Sequence, residues 1–279
     1  MKSWLITGAS SGIGRAVMEK LLARGDRVAA VVRRADVLDD LVAVYGDRLR
    51  ISTFDLTDTS AMRREIDEVF DALGQVDVVF SNAGLGLFGA AEEVTDEQIE
   101  GQIATNLVGS IQFVRACLPH LRRQGGGRIL QTSSEGGQAI YPGFSIYHAT
   151  KWGIEGFIET VAQEVAPFGI GMTIVEPGPT RTSFATNADF ADAMEEYKAT
   201  PVGEVRQALA DGAFSISGDP QRYAPAIVAA AEAEQAVRRL ILGSVAYGNI
   251  ERSVSERLDA IRAQKAVAAS VDNAAPTSA

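Results

Sequence analysis

The sequence predicts an α/β protein in which helices cover both faces of one doubly wound, mostly parallel sheet. An apolar run at residues 4–6 is typical of a buried strand, and residues 28–32 are apolar at every position, as in a strand covered on both faces. Strand and helix patterns then alternate at the spacing of βαβ units. We therefore expect a single domain over residues 1–265.

A glycine-rich turn follows the first predicted strand. Gly8, Gly12 and Gly14 precede an apolar repeat that is typical of one helix face. Glycine lets the backbone turn tightly and approach an anion, and a helix N-terminus offers that anion free N–H groups. Strand, turn and helix together predict a dinucleotide pyrophosphate site. The G-x-x-x-G-x-G spacing differs from the commoner G-x-G-x-x-G, so a plain glycine turn is the alternative.

Composition narrows the choice of partners. The 36 acidic residues outnumber the 26 basic ones, and the net charge of −10 argues against nucleic acid or an anionic membrane as partner. Cys117 is the only cysteine, so no internal disulfide is possible. No cleavable signal and no apolar run of the ~18 residues needed to cross a bilayer is present, which predicts a cytoplasmic protein. Two histidines without a Cys/His cluster predict no metal site.

The residues after the second predicted strand bear on the choice of cofactor. In a doubly wound sheet this position faces the adenosine ribose, where an acidic residue would bind the 2′-hydroxyl and select NAD. Arg33 and Arg34 follow Val32 here, and two arginines can pair with a 2′-phosphate. The sequence therefore favours NADP(H), with a pair of solvated charges as the alternative.

Further elements follow in order along the chain. Asp55, after the third strand, is placed either to accept from an adenine amine or to cap the next helix. Thr95 and Gln98 fit a capping box, and Asn106 lies inside the helix that they begin, where its low propensity calls for a structural or catalytic reason. The later strands are predicted at 49–54, 76–80, 128–132, 172–176 and 238–242, and the later helices at 60–73, 95–121, 144–166, 220–236 and 247–265.

Three side chains near the carboxyl end of the fifth strand have the chemistry of a proton-transfer site. Tyr147 and Lys151 are four residues apart and hence share one helix face. A lysine beside a phenol favours the phenolate, so we expect Lys151 to lower the pKa of Tyr147. Ser134 could polarise a carbonyl at the same edge of the sheet. A Tyr–Lys pair on a helix surface is the alternative for these two residues alone.

The order and spacing of these motifs resemble the short-chain dehydrogenase/reductase family, in its single-domain, NADP-dependent branch. Ser134 precedes Tyr147 by 13 residues, which matches that family's spacing. The likeness is specific over residues 3–182 and looser to about 250, and it implies a Rossmann fold. The motifs are Thr7-Gly8-x-x-x-Gly12-x-Gly14, Asn82-Ala83-Gly84, Asn106, Ser134, Tyr147-x-x-x-Lys151 and Pro177-Gly178.

The resemblance implies a role for each site residue. Ser134 would orient the carbonyl, Tyr147 would transfer the proton, and Lys151 would bind the nicotinamide ribose. Asn106 would hold a water molecule in a proton relay, and Asp55 would touch the adenine. Ser11 stands where some relatives carry a basic residue, so the NADP prediction depends on the two arginines. The implied cofactor-binding residues are Gly8, Ser10, Ser11, Gly12, Ile13, Gly14, Arg33, Arg34, Asp55, Leu56, Asn82, Ala83, Gly84, Tyr147, Lys151, Pro177, Gly178, Thr180 and Thr182, the last of these at the carboxamide.

A long segment at about 178–219 shows no strand pattern. Residues 192–198 within it could form a short helix. Such insertions are usually functional, and in the family this one closes over substrate, so we expect a lid. Residues 266–279 are rich in Ala and Ser and are predicted to form a flexible tail. The predicted substrate residues are Ser134, Gln138, Tyr141, Phe144, Tyr147 and Phe184, with Phe190, Tyr197 and Phe214 adding aromatic surface to the lid.

These observations predict an NADP(H)-dependent oxidoreductase of the carbonyl reductase or alcohol dehydrogenase type, acting on a fairly lipophilic small molecule and assembled as a dimer or tetramer. The alternative is a catalytically silent NADP-binding sensor or interaction protein, since fold alone does not choose between them. A pure sensor would be expected to lose Tyr147 or Lys151, and both are present. An epimerase or dehydratase is disfavoured, because it would need a longer C-terminal substrate domain.

Overall fold

A computed structural model describes residues 1–184, 186–213 and 216–272. The strands in these residues are β1 (Ser3–Thr7), β2 (Arg27–Val32), β3 (Leu49–Thr53), β4 (Val78–Ser81), β5 (Leu87–Phe88), β6 (Gly127–Thr132), β7 (Ile170–Pro177), β8 (Asp189–Phe190) and β9 (Arg239–Leu242). Seven of them form one parallel sheet in the order β3-β2-β1-β4-β6-β7-β9, and β5 and β8 form a separate parallel pair.

Helices cover both faces of the large sheet. Their bounds are α1 (Gly12–Arg24), α2 (Asp39–Tyr45), α3 (Thr59–Leu73), α4 (Asp96–Ile103), α5 (Ser110–Arg123), α6 (Ser145–Val165), α7 (Pro201–Ala210), α8 (Pro220–Glu232), α9 (Ser244–Ala263) and α10 (Lys265–Ser270). Alternate residues of each strand supply the two cores, because successive side chains point to opposite faces. Trp4 packs with Leu21 of α1 and Ile227 of α8, whereas Leu5 packs with Ile66 of α3 and Phe113 of α5.

The predicted doubly wound parallel sheet is confirmed, and the topology fixes where a ligand can bind. The strand order reverses between β1 and β4, since β2 and β3 lie on one side of β1 and the later strands on the other. In such sheets the crevice outside the carboxyl ends at the reversal point is where dinucleotides bind. The last strand, whose direction the sequence left open, is a parallel edge strand beside β7.

The long helix predicted at 95–121 begins as expected but is not continuous. Thr95 and Gln98 form the predicted capping box at the start of α4. A π-helical turn at Ala104–Gly109 separates α4 from α5. Such turns occur mostly as short interruptions of α-helices and are frequent at functional sites. This one carries Asn106, the residue that helix propensity singled out.

The segment at 178–219 differs from the sequence prediction in three places. Asp189–Phe190 forms the short strand β8 against β5, although no strand pattern was visible. The helix expected at 192–198 is reduced to a 3-10 turn at Glu195–Tyr197, and the regular helix of this segment is α7. No residue of α7 is buried, so this helix lies outside the two cores of the sheet. Phe214 lies outside the described residues.

The C-terminal region is helical further than expected. The predicted tail begins at residue 266, but α10 runs through Ser270, with every side chain from 258 to 272 exposed. Residues 273–279 of the predicted tail lie outside the described part of the chain. In the part described, we find no helix with the length and apolar character required to cross a bilayer.

Candidate active site

The glycine turn has the backbone geometry that a dinucleotide needs. Gly8 has a φ of +66°, in the left-handed region that disfavours side chains. A Cβ on Gly14 would lie only 2.4 Å from the carbonyl oxygen of Gly8, so α1 can begin against β1 only with glycine there. Ser11 stands at the N-cap position of α1. The residues present therefore fit a pyrophosphate at the N-terminus of α1.

Asn82, at the end of β4, ties three strands together behind this turn. Its backbone N–H donates to Thr7 Oγ1 at 2.9 Å, and its side-chain Nδ2 donates to the carbonyl oxygen of Thr7 at 3.3 Å. Thr132 Oγ1 of β6 donates to Asn82 Oδ1 at 3.1 Å, while the backbone N–H of Ala83 also reaches Thr7 Oγ1. A Cβ on Gly84 would lie 3.3 Å from Asn106 Oδ1. Asn82-Ala83-Gly84 thus braces the floor of the crevice.

Charged side chains follow β2 and β3 at the carboxyl edge of the sheet. Arg33 and Arg34 are exposed directly after β2, and the Arg34 guanidinium lies 3.8 Å from Asp36. Asp55 Oδ1 accepts from the backbone N–H and the hydroxyl of Thr57, at 2.8 and 2.7 Å. These bonds, together with the charge of Arg33, lower the pKa of Asp55. The adjacent Leu56 is buried.

The predicted catalytic side chains converge where β6 ends. Ser134 Oγ accepts from the backbone N–H of Gly136 at 3.1 Å and so begins the 3-10 turn Glu135–Gly137. Lys151 Nζ lies 5.5 Å from the ring centre of Tyr147 on the same face of α6. The same ammonium group donates to the carbonyl oxygen of Thr132 at 3.3 Å. Tyr147 and Lys151 are therefore anchored against the carboxyl end of β6 rather than paired on a helix surface.

The pKa values of this pair run against the sequence-based expectation. Burial raises the pKa of Tyr147 to about 12; the Ser134 hydroxyl opposes this shift and the Glu135 charge adds to it. Burial lowers the pKa of Lys151 to about 8, with the Glu155 carboxylate opposing. The chain's own groups thus raise the tyrosine pKa instead of lowering it as expected, because desolvation of the phenolate is the largest influence on it.

Asn106 has the structural reason that its position called for. Its Oδ1 accepts from the backbone N–H of Leu85, and its Nδ2 donates to the carbonyl oxygen of Leu85, both at 2.8 Å. The side chain is buried in the π-helical turn and satisfies backbone groups immediately after Gly84. Its amide therefore links the π turn to the floor of the crevice.

The segment after β7 lies against the glycine turn. Pro177 ends β7, and the backbone N–H of Gly178 donates to the carbonyl oxygen of Leu242 at 3.0 Å. Thr180 Oγ1 donates back to the carbonyl oxygen of Gly178 at 2.7 Å. The Thr182 methyl group lies 3.0 Å from where a Cβ of Gly12 would stand. Thr182 therefore lies against the glycine turn.

Aromatic rings line the approach to Tyr147. The rings of Phe184 and Phe144 lie 5.9 and 6.2 Å from the tyrosine ring, centre to centre. Phe88, a buried residue that the sequence analysis missed, lies 5.1 Å from Phe144 and 5.7 Å from Phe190. Phe88 belongs to a strand of two residues, which is too short to show a periodic pattern.

The other two predicted substrate residues are placed differently. The Tyr141 ring packs 5.8 Å from the ring of His148. The Gln138 amide donates to Glu155 and accepts from Arg257 of α9, so its polar atoms are already engaged by protein groups. Phe144 and Phe184 are therefore the predicted substrate residues whose rings pack edge-to-face against Tyr147.

Comparison with known proteins agrees with this geometry. A family model described as short chain dehydrogenase matches residues 2–192. The chain belongs to the short-chain dehydrogenase/reductase family. The oxidoreductase BOA17 of Botryotinia fuckeliana is 35% identical over 244 residues, which cover 87% of this chain and 89% of that protein.

Two solved structures extend the comparison. A short-chain dehydrogenase from Streptomyces avermitilis is 37% identical, with a TM-score of 0.88 over 98% of this chain and 100% of that one. An alcohol dehydrogenase from the archaeon Thermococcus sibiricus, solved with 5-hydroxy-NADP, is 27% identical, with a TM-score of 0.72 over 88% of this chain and 97% of that one. This short-chain dehydrogenase thus shares its fold over 88% of its length with a relative solved with a nicotinamide nucleotide.

A buried carboxylate ties the 178–219 segment to the rest of this short-chain dehydrogenase. Glu93 accepts from the backbone N–H groups of Ala90 and Met194 at 2.7 and 2.9 Å, and it pairs with Arg206 of α7. Burial opposes the ionised form, but the two amides and the arginine keep the pKa of Glu93 below its ordinary value. The Arg206 guanidinium also lies over the Phe88 ring, at 5.1 Å. The sequence gives no signal for this contact.

Proposed function

We propose that this short-chain dehydrogenase transfers hydride between NADP(H) and the carbonyl/alcohol pair of a fairly lipophilic small molecule. The observation that carries the proposal is the convergence of Ser134, Tyr147 and Lys151 beside the glycine turn. The hydroxyl groups of Ser134 and Tyr147 can both donate a hydrogen bond to a carbonyl oxygen, and Lys151 adds a cation. All three lie at the edge of the sheet where this fold binds its ligands. A cytoplasmic location and a homo-oligomeric state stay predictions.

Different residues at the crevice would bind different parts of the cofactor. The N-terminus of α1 would hold the pyrophosphate, Asp55 the adenine, and Arg33 with Arg34 a 2′-phosphate, while Lys151 would bind the nicotinamide ribose. When bound, the nicotinamide supplies or accepts the hydride. The remaining chemistry belongs to the chain's own side chains.

In the reductive direction Ser134 donates to the substrate oxygen and Tyr147 delivers the proton to it. The raised pKa of Tyr147 keeps the phenol protonated at neutral pH, which is the form that donates. The ammonium group of Lys151 then favours the phenolate left behind. Asn106 would hold a water molecule that returns the proton. In the oxidative direction the same groups take the proton from the alcohol.

The lining of the pocket supports a lipophilic substrate. The rings of Phe144 and Phe184 pack edge-to-face against Tyr147, and the lid adds Phe190 on the far side of Phe88. Phe184 and Phe190 remain about half exposed, so the wall keeps apolar surface available to a ligand. Apolar pockets with a few convergent polar groups are typical of small-molecule sites.

Removing both arginines after β2 is expected to weaken NADPH binding roughly ten- to a hundred-fold and to leave NADH binding unchanged. A charge-assisted contact with phosphate contributes about 1.5–3 kcal/mol, and NADH lacks the 2′-phosphate. The variant is Arg33→Ala with Arg34→Ala, and the measurement is fluorescence titration with each cofactor. Arg262→Ala, an exposed arginine of α9, is the control. Equal affinity of the wild type for the two cofactors would refute the preference for NADP(H).

A further inference from the structure

One face of α6 carries a row of four polar or charged side chains. Tyr147, Lys151, Glu155 and Glu159 follow one another at intervals of four residues, which places them on the same side of the helix. The proposed reaction uses the first two and leaves the carboxylates without a role. Glu155 is slightly more deeply buried than Lys151, with 3% of its surface exposed against 5%. A carboxylate in that position calls for partners, because burial of a charge is costly unless it is paired.

Glu155 has those partners in the loop that carries Ser134. Its Oε1 accepts from Ser133 Oγ at 2.6 Å, and its Oε2 accepts from Gln138 Nε2 at 2.5 Å. Between these two contacts, a Cβ on Gly137 would lie 1.7 Å from Glu155 Oε1. The loop at 133–138 is therefore folded around the carboxylate, and only glycine at 137 leaves room for it.

An arginine on the edge strand completes the cluster. Arg239 Nη1 donates to Glu155 Oε2 at 2.7 Å and to Glu176 Oε1 of β7 at 2.5 Å, while Nη2 donates to Glu159 Oε1 at 2.8 Å. Glu155 and Glu159 thus share one cation, but only Glu155 reaches the loop. This difference provides a matched pair of residues for experiment.

We propose that Glu155 is a positioning residue of the active site: it fixes the loop that presents Ser134, and its negative charge supports the ammonium form of Lys151. The first half of this proposal stands on contacts alone, and the second half rests on the proposed function. In neither role does Glu155 contact the substrate or the cofactor, so it acts through the 133–138 loop and through Lys151.

The effect of the Glu155 charge on the pKa of Lys151 has a definite direction. The charged groups around Glu155 are Lys151 and Glu159 on α6, Glu176 on β7 and Arg239 on β9. Burial lowers the pKa of Lys151, and the Glu155 carboxylate is the charge that opposes the shift. Without that carboxylate the pKa of Lys151 falls further, so the ammonium form is lost at a lower pH. The alkaline limb of the kcat profile should move to lower pH accordingly.

The test compares Glu155→Gln with Glu159→Gln. Each variant takes one carboxylate from Arg239, but only the first also removes the anion that Ser133 and Gln138 bind. We expect Glu155→Gln to speed amide hydrogen exchange in the 131–140 segment, to lower kcat roughly tenfold or more, and to shift the alkaline limb to lower pH. Glu159→Gln should leave the exchange, kcat and the limb as in the wild type.

Two further variants test the two roles separately, including the case in which Glu155→Gln does not fold. Glu155→Asp retains the charge on a shorter side chain, so the wild-type limb should persist while loop protection falls. Ser133→Ala removes one contact from the loop side and should also speed exchange, even if Glu155→Gln does not fold. Equal exchange in Glu155→Gln and Glu159→Gln would overturn the bracing role, and an unmoved limb would overturn the electrostatic role. Hydrogen exchange needs no substrate, so a failed turnover assay would count against the proposed function and not against the brace.

Discussion

Replacing Tyr147 by phenylalanine is expected to lower turnover about 10²–10⁴-fold, the usual contribution of a general acid–base group. The change removes only the phenolic oxygen, and the ring contacts with Phe144 and Phe184 can persist. Folding and NADPH affinity should therefore stay near their wild-type values. The measurements are kcat with an accepted carbonyl, NADPH binding by fluorescence, and the thermal unfolding midpoint.

Tyr197→Phe is the matched control for this change. The Tyr197 hydroxyl lies in the 178–219 segment and donates to Glu92 Oε2 at 2.9 Å, away from Ser134 and Lys151, so turnover should be retained. Lys151→Ala should lose turnover and also weaken cofactor binding, because the same amine is proposed to hold the ribose. A Tyr147→Phe enzyme that keeps most of its turnover would end the proposed mechanism.

Glu93→Ala is expected to lower the free energy of unfolding by about 3 kcal/mol, the cost of removing one partner of a buried ion pair. The loss leaves Arg206 and two backbone N–H groups without their acceptor. Because this carboxylate joins α7 to the body of the protein, the lid should loosen and the KM for the carbonyl should rise more than the KM for NADPH. Chemical denaturation and steady-state kinetics measure the two effects.

Glu92→Ala is the control at the neighbouring position. Glu92 is exposed and accepts from Tyr197, so its removal should change stability by no more than about 0.5 kcal/mol. The pKa of Glu93 is lowered in the folded protein, so its stabilisation is present above its ordinary pKa and is lost as the pH falls through the folded value. Equal stability of the two variants near neutral pH would contradict the role given to Glu93.

The fold was predictable because its signals are local. The apolar strands, the glycine turn and the caps are each read from a few neighbouring residues, and strand alternation then selects the topology. Asn106 was also visible, as a residue that its helix would not favour. The 178–219 segment was not predictable in detail, because β8 consists of two exposed residues and α7 buries no side chain in either core.

The site was predictable in its members and not in its electrostatics. The motifs placed Ser134, Tyr147 and Lys151 together, but the argument from charge alone gave the wrong direction for the tyrosine pKa. That direction depends on how deeply both groups are buried, which is a property of the packed structure. Glu93 and Glu155 were missed for the same reason, since a buried carboxylate looks like a surface one until its partners are known.

The most direct test of the central claim is NADPH oxidation by the purified protein with a panel of lipophilic ketones and aldehydes, followed at the nicotinamide absorbance. NADH is run in parallel, and Tyr147→Phe supplies the background rate. The account predicts carbonyl-dependent loss of NADPH by the wild type and none above background by the variant. If the protein is folded and binds NADPH, but no carbonyl of the panel raises NADPH oxidation above the Tyr147→Phe background, the account is contradicted and a cofactor sensor is favoured.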